Sequence, residues 1–305
     1  MTREELNNKK QKEIFREENR EKRKKLVLIS LKIMITIVFL FTAFYFYTTR
    51  ISAGSIIVKE KRIISEKIPD SFNGTKIIHF SDLHYGSNIN YDKLKEIVNL
   101  INERNPDLVL FSGDLIAKDY NLSNKEQEKV INELKKITAN LGKYTVMGDE
   151  DKDNFTTIMN QSDFTILNND YDFLYNKTND AILLIGFASS LNKQMDIDKG
   201  LEYFSNEIAN HDIYTISLFH EPDSAEDILN KHNVNLLLAG HSHNGNIRIP
   251  YIGSIIKIDG ARKYDQEYYK INNSELYISS GLGTTGDGIR LFCRPSINFF
   301  RISNF

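Results

Sequence analysis

The sequence predicts a layered α/β domain that follows a single membrane-spanning helix. From Lys76 onward, short apolar runs of strand length alternate with helical segments, the pattern of sheets covered by helices. Earlier, Leu26–Thr48 holds 23 residues with one charge, Lys32. At about 1.5 Å rise per residue, such a helix crosses a hydrocarbon core of about 30 Å. The remaining chain, about 240 residues, is long enough for one large core or two small ones.

The first 25 residues form a basic tail before the predicted anchor. They hold ten Lys or Arg, whereas residues 49–67, the predicted linker and first strands, hold five. Because basic segments stay on the cytoplasmic side, this asymmetry predicts a cytoplasmic tail and an extracytoplasmic domain over residues 68–305. The predicted location is therefore the cell membrane, with a single pass at residues 26–48.

Two other interpretations of the apolar stretch stay open. A cleaved signal peptide would have an unusually long apolar region, and Ser52–Gly54 is a poor cleavage site. A buried helix would need a large apolar surface around it, and no later segment offers one. A retained anchor is the prediction, with the membrane as its partner.

The predicted elements of the domain follow one another in a regular order. Ile56–Val58 and Ile63–Ile64 are β-prone pieces. Seven longer runs are predicted strands: Lys76–Phe80, Leu108–Phe111, Tyr144–Met147, Ala181–Gly186, Ile213–Phe219, Val234–Ala239 and Leu276–Ser279. Four segments are predicted helices: Tyr91–Glu103, Asn124–Asn140, Lys199–Asn210 and Ser224–Lys231. In such folds, ligands gather at the loops that leave the carboxyl ends of the strands.

Charge and cysteine content exclude several classes of function. The net charge is -2, so no overall field attracts nucleic acid, and no nucleic-acid partner is expected. The single cysteine, Cys293, cannot form an internal disulfide or a cysteine-rich metal site. It lies in the apolar run Ile289–Cys293, which predicts a buried structural role. Nothing in the sequence indicates a protein partner.

Carboxylates and imidazoles follow five of the predicted strands. They are Asp82 and His84, Asp114, Asp149 and Glu150, His220, and His241 and His243. Each is weak evidence alone, because Gly-Asp is usually a turn and a strand-end histidine is usually a surface group. Together they include four of the seven histidines of the chain. Oxygen and imidazole ligands without thiolate suit Mn, Fe, Zn or similar divalent ions.

The ordered set of motifs resembles the calcineurin-like metallophosphoesterase family. The motifs are Asp82-x-His84, Gly113-Asp114, Gly148-Asp149-Glu150, His220 and Gly240-His241-x-His243. Other segments resemble its small membrane-associated branch, which includes phosphohydrolases similar to bacterial UDP-2,3-diacylglucosamine hydrolases: Pro69–Ile77, Phe219–Asp223, Ile249–Gly253 and Ser280–Gly283. The resemblance runs from about residue 55 to the end of the chain. It implies two packed mixed β-sheets flanked by helices.

The resemblance also implies two divalent metal ions. One ion would bind Asp82, His84, Asp114 and His243, and the other Asp114, Asp149, His220 and His241. Asp114 would bridge the two, because a carboxylate offers two oxygens. Two such ions about 3.5–4 Å apart would lower the pKa of a bridging water, whose hydroxide attacks phosphorus. The implied substrate is a phosphomonoester, phosphodiester or phosphoanhydride, either a phosphorylated small molecule or a lipid-linked compound.

Two residues at the predicted site depart from the family pattern. The family has Gly-Asn-His where this chain has Gly148-Asp149-Glu150. Asp149 keeps an oxygen ligand but adds a negative charge, which predicts tighter metal binding and a weaker pull on phosphate. Glu150 replaces a histidine thought to protonate the leaving group, and an ionised carboxylate is a poor acid at pH 7. Asn244 and Asn246 also differ from the usual Gly and Gln, which bears on substrate contacts.

A glycine-rich loop, Gly281–Gly288, precedes Arg290. It lacks the Gly-Lys-Ser/Thr ending of a P-loop. A strand connection and a phosphate cradle both remain open for the loop. For Arg290, the hypothesis is a contact with the substrate phosphate.

Three classes of function follow from these patterns. The first is an active phosphohydrolase on a lipid-linked or cell-envelope phosphate, which the anchor favours. The second is a metal-bound but catalytically impaired family member acting as a binding or regulatory module, which Asp149 and Glu150 favour. The third is a structural membrane protein without metal, against which the retention of every other ligand argues.

Overall fold

The computed structural model describes residues 2–152, 154–206, 209–286 and 288–305. The chain forms two compact units, Met1–Tyr47 and Thr48–Phe305. The first unit contains helix α1, Arg3–Phe46, which begins at a capping box between Thr2 and Glu5. A π-helical stretch, Tyr47–Ser52, follows in the chain. Among the described residues, this one helical segment is long and apolar enough to cross a membrane, by length and composition alone.

The second unit contains two six-stranded sheets within the described residues. The first sheet has the spatial order β1 (Ile57–Ile64), β14 (Ser296–Ser303), β2 (Lys76–Phe80), β3 (Leu108–Phe111), β4 (Lys143–Thr145) and β5 (Thr165–Ile166). The second has the order β12 (Tyr268–Ile271), β13 (Ser274–Ile278), β9 (Leu236–Ala239), β8 (Thr215–Leu218), β7 (Ala181–Gly186) and β6 (Asp170–Tyr175). A short pair, β10 (Arg248–Ile249) and β11 (Gly253–Ser254), stands apart from both sheets.

Helices cover the outer face of each sheet. The helices are α2 (Tyr91–Asn102), α3 (Asn124–Leu134), α4 (Asn154–Gln161), α5 (Ile197–Gly200) and α6 (Ala225–Lys231). The first three pack in one apolar cluster with β2 and β3, and the last two pack with β7 and β9. A third cluster lies between the sheets. The predicted fold of two mixed sheets flanked by helices is therefore confirmed.

The strand sequences explain why the central strands are buried on both faces. Along β2, Ile77 faces the cluster between the sheets and Ile78 faces the helices. On β3, Leu108 faces the cluster between the sheets and Val109 faces the helices. Successive side chains of a strand point to opposite faces, so a strand covered on both sides needs an unbroken apolar run.

Some boundaries differ from those predicted. The helix predicted over Asn124–Asn140 ends at Leu134. The chain beyond it forms tighter turns, and the Asn102 side chain accepts from the Thr138 N–H and donates to the Lys136 carbonyl. These side-chain hydrogen bonds take the place of the backbone hydrogen bonds that a longer helix would form. The prediction of one helix over Lys199–Asn210 is also wrong, because the described residues of this region do not form a single helix.

In that second region the structure has α5 followed by a 3-10 turn, Glu202–Ser205. Residues 207 and 208, which the prediction included, lie outside the described residues. The prediction missed α4 and strands β5, β6, β10, β11, β12 and β14. Cys293 is buried, as predicted.

Strand β14 matters most among the missed elements. It pairs parallel with β1 and antiparallel with β2, so it lies inside the first sheet. Asn298 of β14 stands opposite His79 of β2. The end of the chain therefore completes the sheet that carries the first predicted ligands.

Candidate metal centre

The loops that carry the predicted ligands leave neighbouring parallel strands. In the first sheet β2, β3 and β4 are parallel neighbours, and in the second sheet β8 and β9 are. The carboxyl ends of parallel neighbours lie at the same edge of a sheet. Residues far apart in the chain therefore meet at one place.

One cluster contains four predicted ligands: Asp114, Asp149, His220 and His241. Each offers a ligand atom, and these atoms all lie within 4.8 Å of one another. The His220 Nε2 atom is 3.3 Å from Asp114 Oδ2 and 3.2 Å from Asp149 Oδ1. The His241 Nδ1 atom is 2.9 Å from the same Asp149 oxygen.

A second cluster contains Asp82, His84 and His243, again within 4.8 Å. The His243 Nε2 atom is 3.4 Å from Asp82 Oδ1 and 3.1 Å from His84 Nε2. The Asp114 Oδ2 atom is 3.7 Å from His84 Nε2, so Asp114 touches both clusters. The structure thus brings all seven predicted ligands together, with Asp114 between the two groups.

Several buried atoms on the side chains of the ligand residues have no hydrogen-bond partner within the protein. Among the described residues these include His84 Nδ1, Asp149 Oδ1 and His220 Nε2. Such unsatisfied atoms are costly in a protein interior. A cation between Asp149 and His220 would satisfy two of them. This observation fits the divalent ions that the donor set implies.

Backbone carbonyls fix the orientation of two imidazoles. His220 Nδ1 lies 2.6 Å from the Ser112 carbonyl, and His241 Nε2 lies 2.7 Å from the Asp259 carbonyl. A ring nitrogen that donates to a carbonyl leaves the other nitrogen with its lone pair free for a metal. In both residues that other nitrogen faces the Asp149 carboxylate.

The site has a strongly negative local field. Burial alone would lower the pKa of His220, but the carboxylates of Asp114 and Asp149 outweigh it and hold that pKa well above its usual value. Burial acts to raise the pKa of Asp82, yet His243, His220 and His84 together hold it below the usual range. A field that holds protons on imidazoles also attracts metal cations, which compete for the same lone pairs.

The ligand backbones are strained. Five predicted ligands have positive φ angles in the left-handed region: Asp82 (50°), His84 (42°), Asp114 (61°), His241 (62°) and His243 (47°). Residues other than glycine adopt this conformation rarely and at a cost, and such residues concentrate at functional sites. The strain directs each side chain into the site as the chain leaves its strand.

Asp151 is a site residue that the sequence analysis missed. Its carboxylate accepts hydrogen bonds from the backbone N–H groups of Asp114 (2.8 Å), Leu115 (2.8 Å) and Gly148 (2.9 Å). It therefore ties the loop after β3 to the loop after β4. Burial, and then the Asp114 carboxylate, raise the pKa of Asp151 to about 7. An aspartate in a polar turn is too common for its sequence position to reveal this role.

Glu150 lies beside the second cluster. Its carboxylate oxygen Oε2 is 3.4 Å from His84 Nδ1, and its backbone N–H donates to Asp114 Oδ1 at 3.0 Å. Glu150, His84 and Asp114 also form a group close enough to hold a metal ion. The side chain is thus part of the site, beside the imidazole of the ligand His84.

Arg290 has a different environment from the one hypothesised. Its guanidinium is fully buried and donates to the carbonyls of Ser280 (2.6 Å), Gly281 (3.2 Å) and Gly283. The Nη2 atom lies 3.0 Å from His243 Nδ1. With no exposed surface, Arg290 supports His243 and the loop, which argues against direct contact with a substrate phosphate.

The glycine-rich loop packs against the first ligand loop. The N–H groups of Leu282 and Gly283 donate to the Asp82 carbonyl at 3.1 Å and 2.7 Å. A phosphate cradle needs such groups free, so this part of the loop acts as a strand connection. Residue 287 of the loop lies outside the described residues.

A cavity of about 330 Å³ opens above the two clusters. Its lining includes the ligands His84, Asp114, Asp149, His241 and His243, together with Glu150 and Asn246. Three apolar side chains, Leu191, Ile256 and Ile258, form part of its wall. The cavity therefore joins the polar centre to an apolar entrance.

Comparison with known proteins places this geometry in a family. Residues 75–245 match the family described as calcineurin-like phosphoesterase. The uncharacterized metallophosphoesterase YkuE of Bacillus subtilis is 30% identical over 265 residues, covering 85% of this chain and 90% of that protein. This chain belongs to the calcineurin-like phosphoesterase family. The prediction of a metal-dependent phosphoesterase is therefore confirmed at the level of the family.

Two more distant relatives also match. The phosphodiesterase YaeI of Escherichia coli is 22% identical, covering 74% of this chain and 82% of that protein. A transmembrane protein with a metallophosphoesterase domain from Danio rerio is 25% identical, covering 79% of this chain and 56% of that protein. Among solved structures, YfkN from Bacillus subtilis is similar, with a TM-score of 0.43 and 15% identity over 73% of this chain and 90% of that one.

The role of Asp151 leads to a first prediction. Replacing Asp151 by Asn leaves one amide oxygen and adds an N–H₂ group facing three N–H donors, so the two loops separate and metal affinity falls. We expect a loss of about 10- to 100-fold in Mn²⁺ affinity, the usual effect of removing a group that orients ligands. Titration calorimetry of the purified protein with Mn²⁺ measures it.

Asp119, which is exposed and lies in the same region of the chain, provides the control. Asp119→Asn should bind Mn²⁺ as the unaltered protein does. Equal Mn²⁺ affinity in Asp151→Asn and the unaltered protein, with unchanged circular dichroism, would show that the bonds to Asp151 do not organise the metal centre.

Proposed function

We propose that the protein is a membrane-anchored phosphohydrolase that uses two divalent metal ions. The observation that carries the proposal is the meeting of the two ligand clusters at Asp114. One ion would be held by Asp82, His84, Asp114 and His243, and the other by Asp114, Asp149, His220 and His241. When bound, such ions activate water and neutralise the charge of a phosphoryl group.

The protein's own groups hold and shield this centre. Carbonyls of Ser112 and Asp259 fix two imidazoles, and the buried Arg290 packs beside His243. The three ligand carboxylates, with two dications, leave a net charge of about +1, where an amide at Asp149 would leave about +2. The centre therefore binds cations tightly and draws phosphoryl oxygens less strongly.

Glu150 gives the site its particular chemistry. Its carboxylate faces His84 Nδ1 at 3.4 Å, in position to accept the proton of that nitrogen and direct Nε2 toward the metal. A carboxylate that accepts this proton has none to give to a leaving group. We infer that the preferred substrates have leaving groups that need no proton, such as phosphoanhydrides or aryl esters.

The dependence on metal gives the central test. We expect the full chain, supplied with Mn²⁺, to hydrolyse bis-p-nitrophenyl phosphate, and Asp82→Ala to lose about 100-fold or more because one ion loses a buried ligand. The exposed residue Asp119 again serves as control, as Asp119→Ala. Initial rates and metal content are measured on the same samples.

The alternative function is an outcome of this assay. A protein that contains two Mn²⁺ ions and hydrolyses neither diester nor anhydride would contradict the proposed activity and favour a metal-bound binding or regulatory module. A protein that retains no metal would contradict the dinuclear centre itself.

Glu150 gives a separate kinetic prediction. Glu150→His restores a group able to donate a proton near pH 7, so hydrolysis of alkyl phosphate esters should rise about 100-fold relative to aryl esters and phosphoanhydrides. Glu150→Gln supplies the control, since it removes the charge without adding a useful acid. Equal changes on all three substrate classes would rule out a missing proton donor as the cause of the selectivity.

We further propose that the helix places the catalytic unit outside the cytoplasm, in contact with lipid-linked or cell-envelope phosphates. Support comes from the apolar span in α1 and from the ten basic residues that precede it. A lipid-linked phosphate is the preferred substrate class, because an anchor confines the site near a membrane surface.

The orientation is testable by cysteine labelling, because the natural Cys293 is buried. Asn8 and Asn179 are both exposed, one in the tail and one in the catalytic unit. In intact cells, an impermeant maleimide should label Asn179→Cys, whereas Asn8→Cys should react only after permeabilisation. The unaltered chain gives the background, and the reverse pattern would contradict the proposed topology.

A further inference from the structure

The strand pair β10–β11 and the segment after it expose an unusual number of apolar side chains. We call residues 249–258 the apolar hairpin. Six of its side chains are large, apolar and exposed: Ile249, Tyr251, Ile252, Ile255, Ile256 and Ile258. Tyr251 is fully exposed, and Ile252 is 76% exposed. Large apolar patches on a surface mark sites of contact with a partner or a membrane.

The structure holds this hairpin in place. Arg248 at its base donates to the Asn244 side chain at 2.8 Å and to the Asp265 carbonyl at 2.9 Å. Ser254 donates to the Asp265 carboxylate. The hairpin therefore presents its apolar residues on a fixed base.

The same hairpin reaches the metal centre. Ile256 and Ile258 line the cavity above the ligands, and Leu191 is the third large apolar residue among its described lining residues. The next residue, Asp259, holds His241 through its carbonyl. The exposed apolar surface is thus continuous with the entrance to the site.

We propose that the apolar hairpin inserts into the lipid–water interface and guides the apolar part of a lipid-linked phosphate to the cavity. This inference rests on the proposed membrane anchoring. The anchor would keep a bilayer at high local concentration near the catalytic unit, so insertion needs little intrinsic affinity.

The composition of the hairpin fits a bilayer as its occupant. Isoleucine suits the acyl boundary, and Tyr251 suits the interface because its ring is apolar and its hydroxyl is polar. Residues 249–263 contain Lys257, Arg262 and Lys263 against a single acid, Asp259. All three basic side chains pair with carboxylates, Lys257 with Asp265, Arg262 with Asp259 and Lys263 with Glu226, so it is the apolar residues that favour the bilayer.

The chain contains no tryptophan, which makes a direct test possible. In the full chain, Ile252→Trp places a single fluorophore at the tip of the hairpin, and Tyr175→Trp places one at an exposed position on β6. Both variants are reconstituted into vesicles of phosphatidylcholine and phosphatidylglycerol that contain increasing fractions of brominated acyl chains.

We expect the emission of Ile252→Trp to shift to the blue and to be quenched at least twofold by brominated lipid, while Tyr175→Trp stays unquenched. Unquenched emission from Ile252→Trp would overturn the proposal. Emission protected from both brominated lipid and aqueous acrylamide would also overturn it, since a protein surface would then cover the hairpin.

Activity gives a second, independent measurement. Tyr251 and Ile252 do not line the cavity, so the double variant Tyr251→Asp, Ile252→Asp should hydrolyse soluble bis-p-nitrophenyl phosphate normally. Its hydrolysis of a lipid p-nitrophenyl phosphodiester held in vesicles should fall at least fivefold. Equal loss on both substrates, or no loss on the lipid, would contradict the proposed guidance.

The two readouts separate this inference from the proposed function. If the unaltered protein hydrolyses nothing but Ile252→Trp is quenched by brominated lipid, membrane insertion stands and the proposed activity fails. If the protein hydrolyses the soluble diester but Ile252→Trp is not quenched, the activity stands and the insertion fails.

Discussion

The burial of several carboxylates and imidazoles in one place is the constraint on which the rest of the structure depends. Asp82 and Asp114 are almost completely inaccessible to solvent, and Asp149 stands beside them. Like charges this close, removed from water, repel strongly unless cations neutralise them. Against the effect of burial, the Asp114 and Asp149 carboxylates hold the pKa of His220 above its usual value for the same reason. The positive φ angles at five ligands show that the backbone accepts local strain to reach this arrangement.

Groups distant in the chain share the task of holding the centre. Asp151 joins two loops of the first sheet, and the Asp259 carbonyl, from the hairpin region, fixes His241. Arg290 joins His243 to the loop before the last strand. β14 then returns this last part of the chain to the middle of the first sheet, next to β2. The metal centre therefore depends on the fold from β2 to the C-terminal strand, and no short segment contains it.

The features predicted correctly from the sequence are the buried strands and the polar residues that follow their ends. β2 and β3 have the predicted bounds because both their faces are covered, which produces unbroken apolar runs. β14 escaped prediction because Asn298 and Arg301 interrupt its apolar residues. The roles of Asp151 and Arg290 could not be predicted either. Asp151 binds backbone N–H groups of the loop after β3, and Arg290 binds carbonyls seven to ten residues earlier in its own connection; such bonds have no counterpart in local sequence pattern.

The departures at the metal centre and the exposed hairpin belong to one argument about substrate. In the proposed mechanism, a centre with an extra carboxylate at Asp149, and with Glu150 beside His84, supplies less electrophilic pull and no proton donor. Such a centre suits a substrate whose leaving group departs without help. Positioning then has to contribute more of the rate. Binding that holds the substrate in its reacting geometry removes an entropy cost from the barrier. An apolar entrance formed by Ile256 and Ile258 provides that positioning only for a substrate with an apolar part. The weak chemistry and the apolar entrance therefore both favour a lipid-linked phosphate with a good leaving group over a small polar ester.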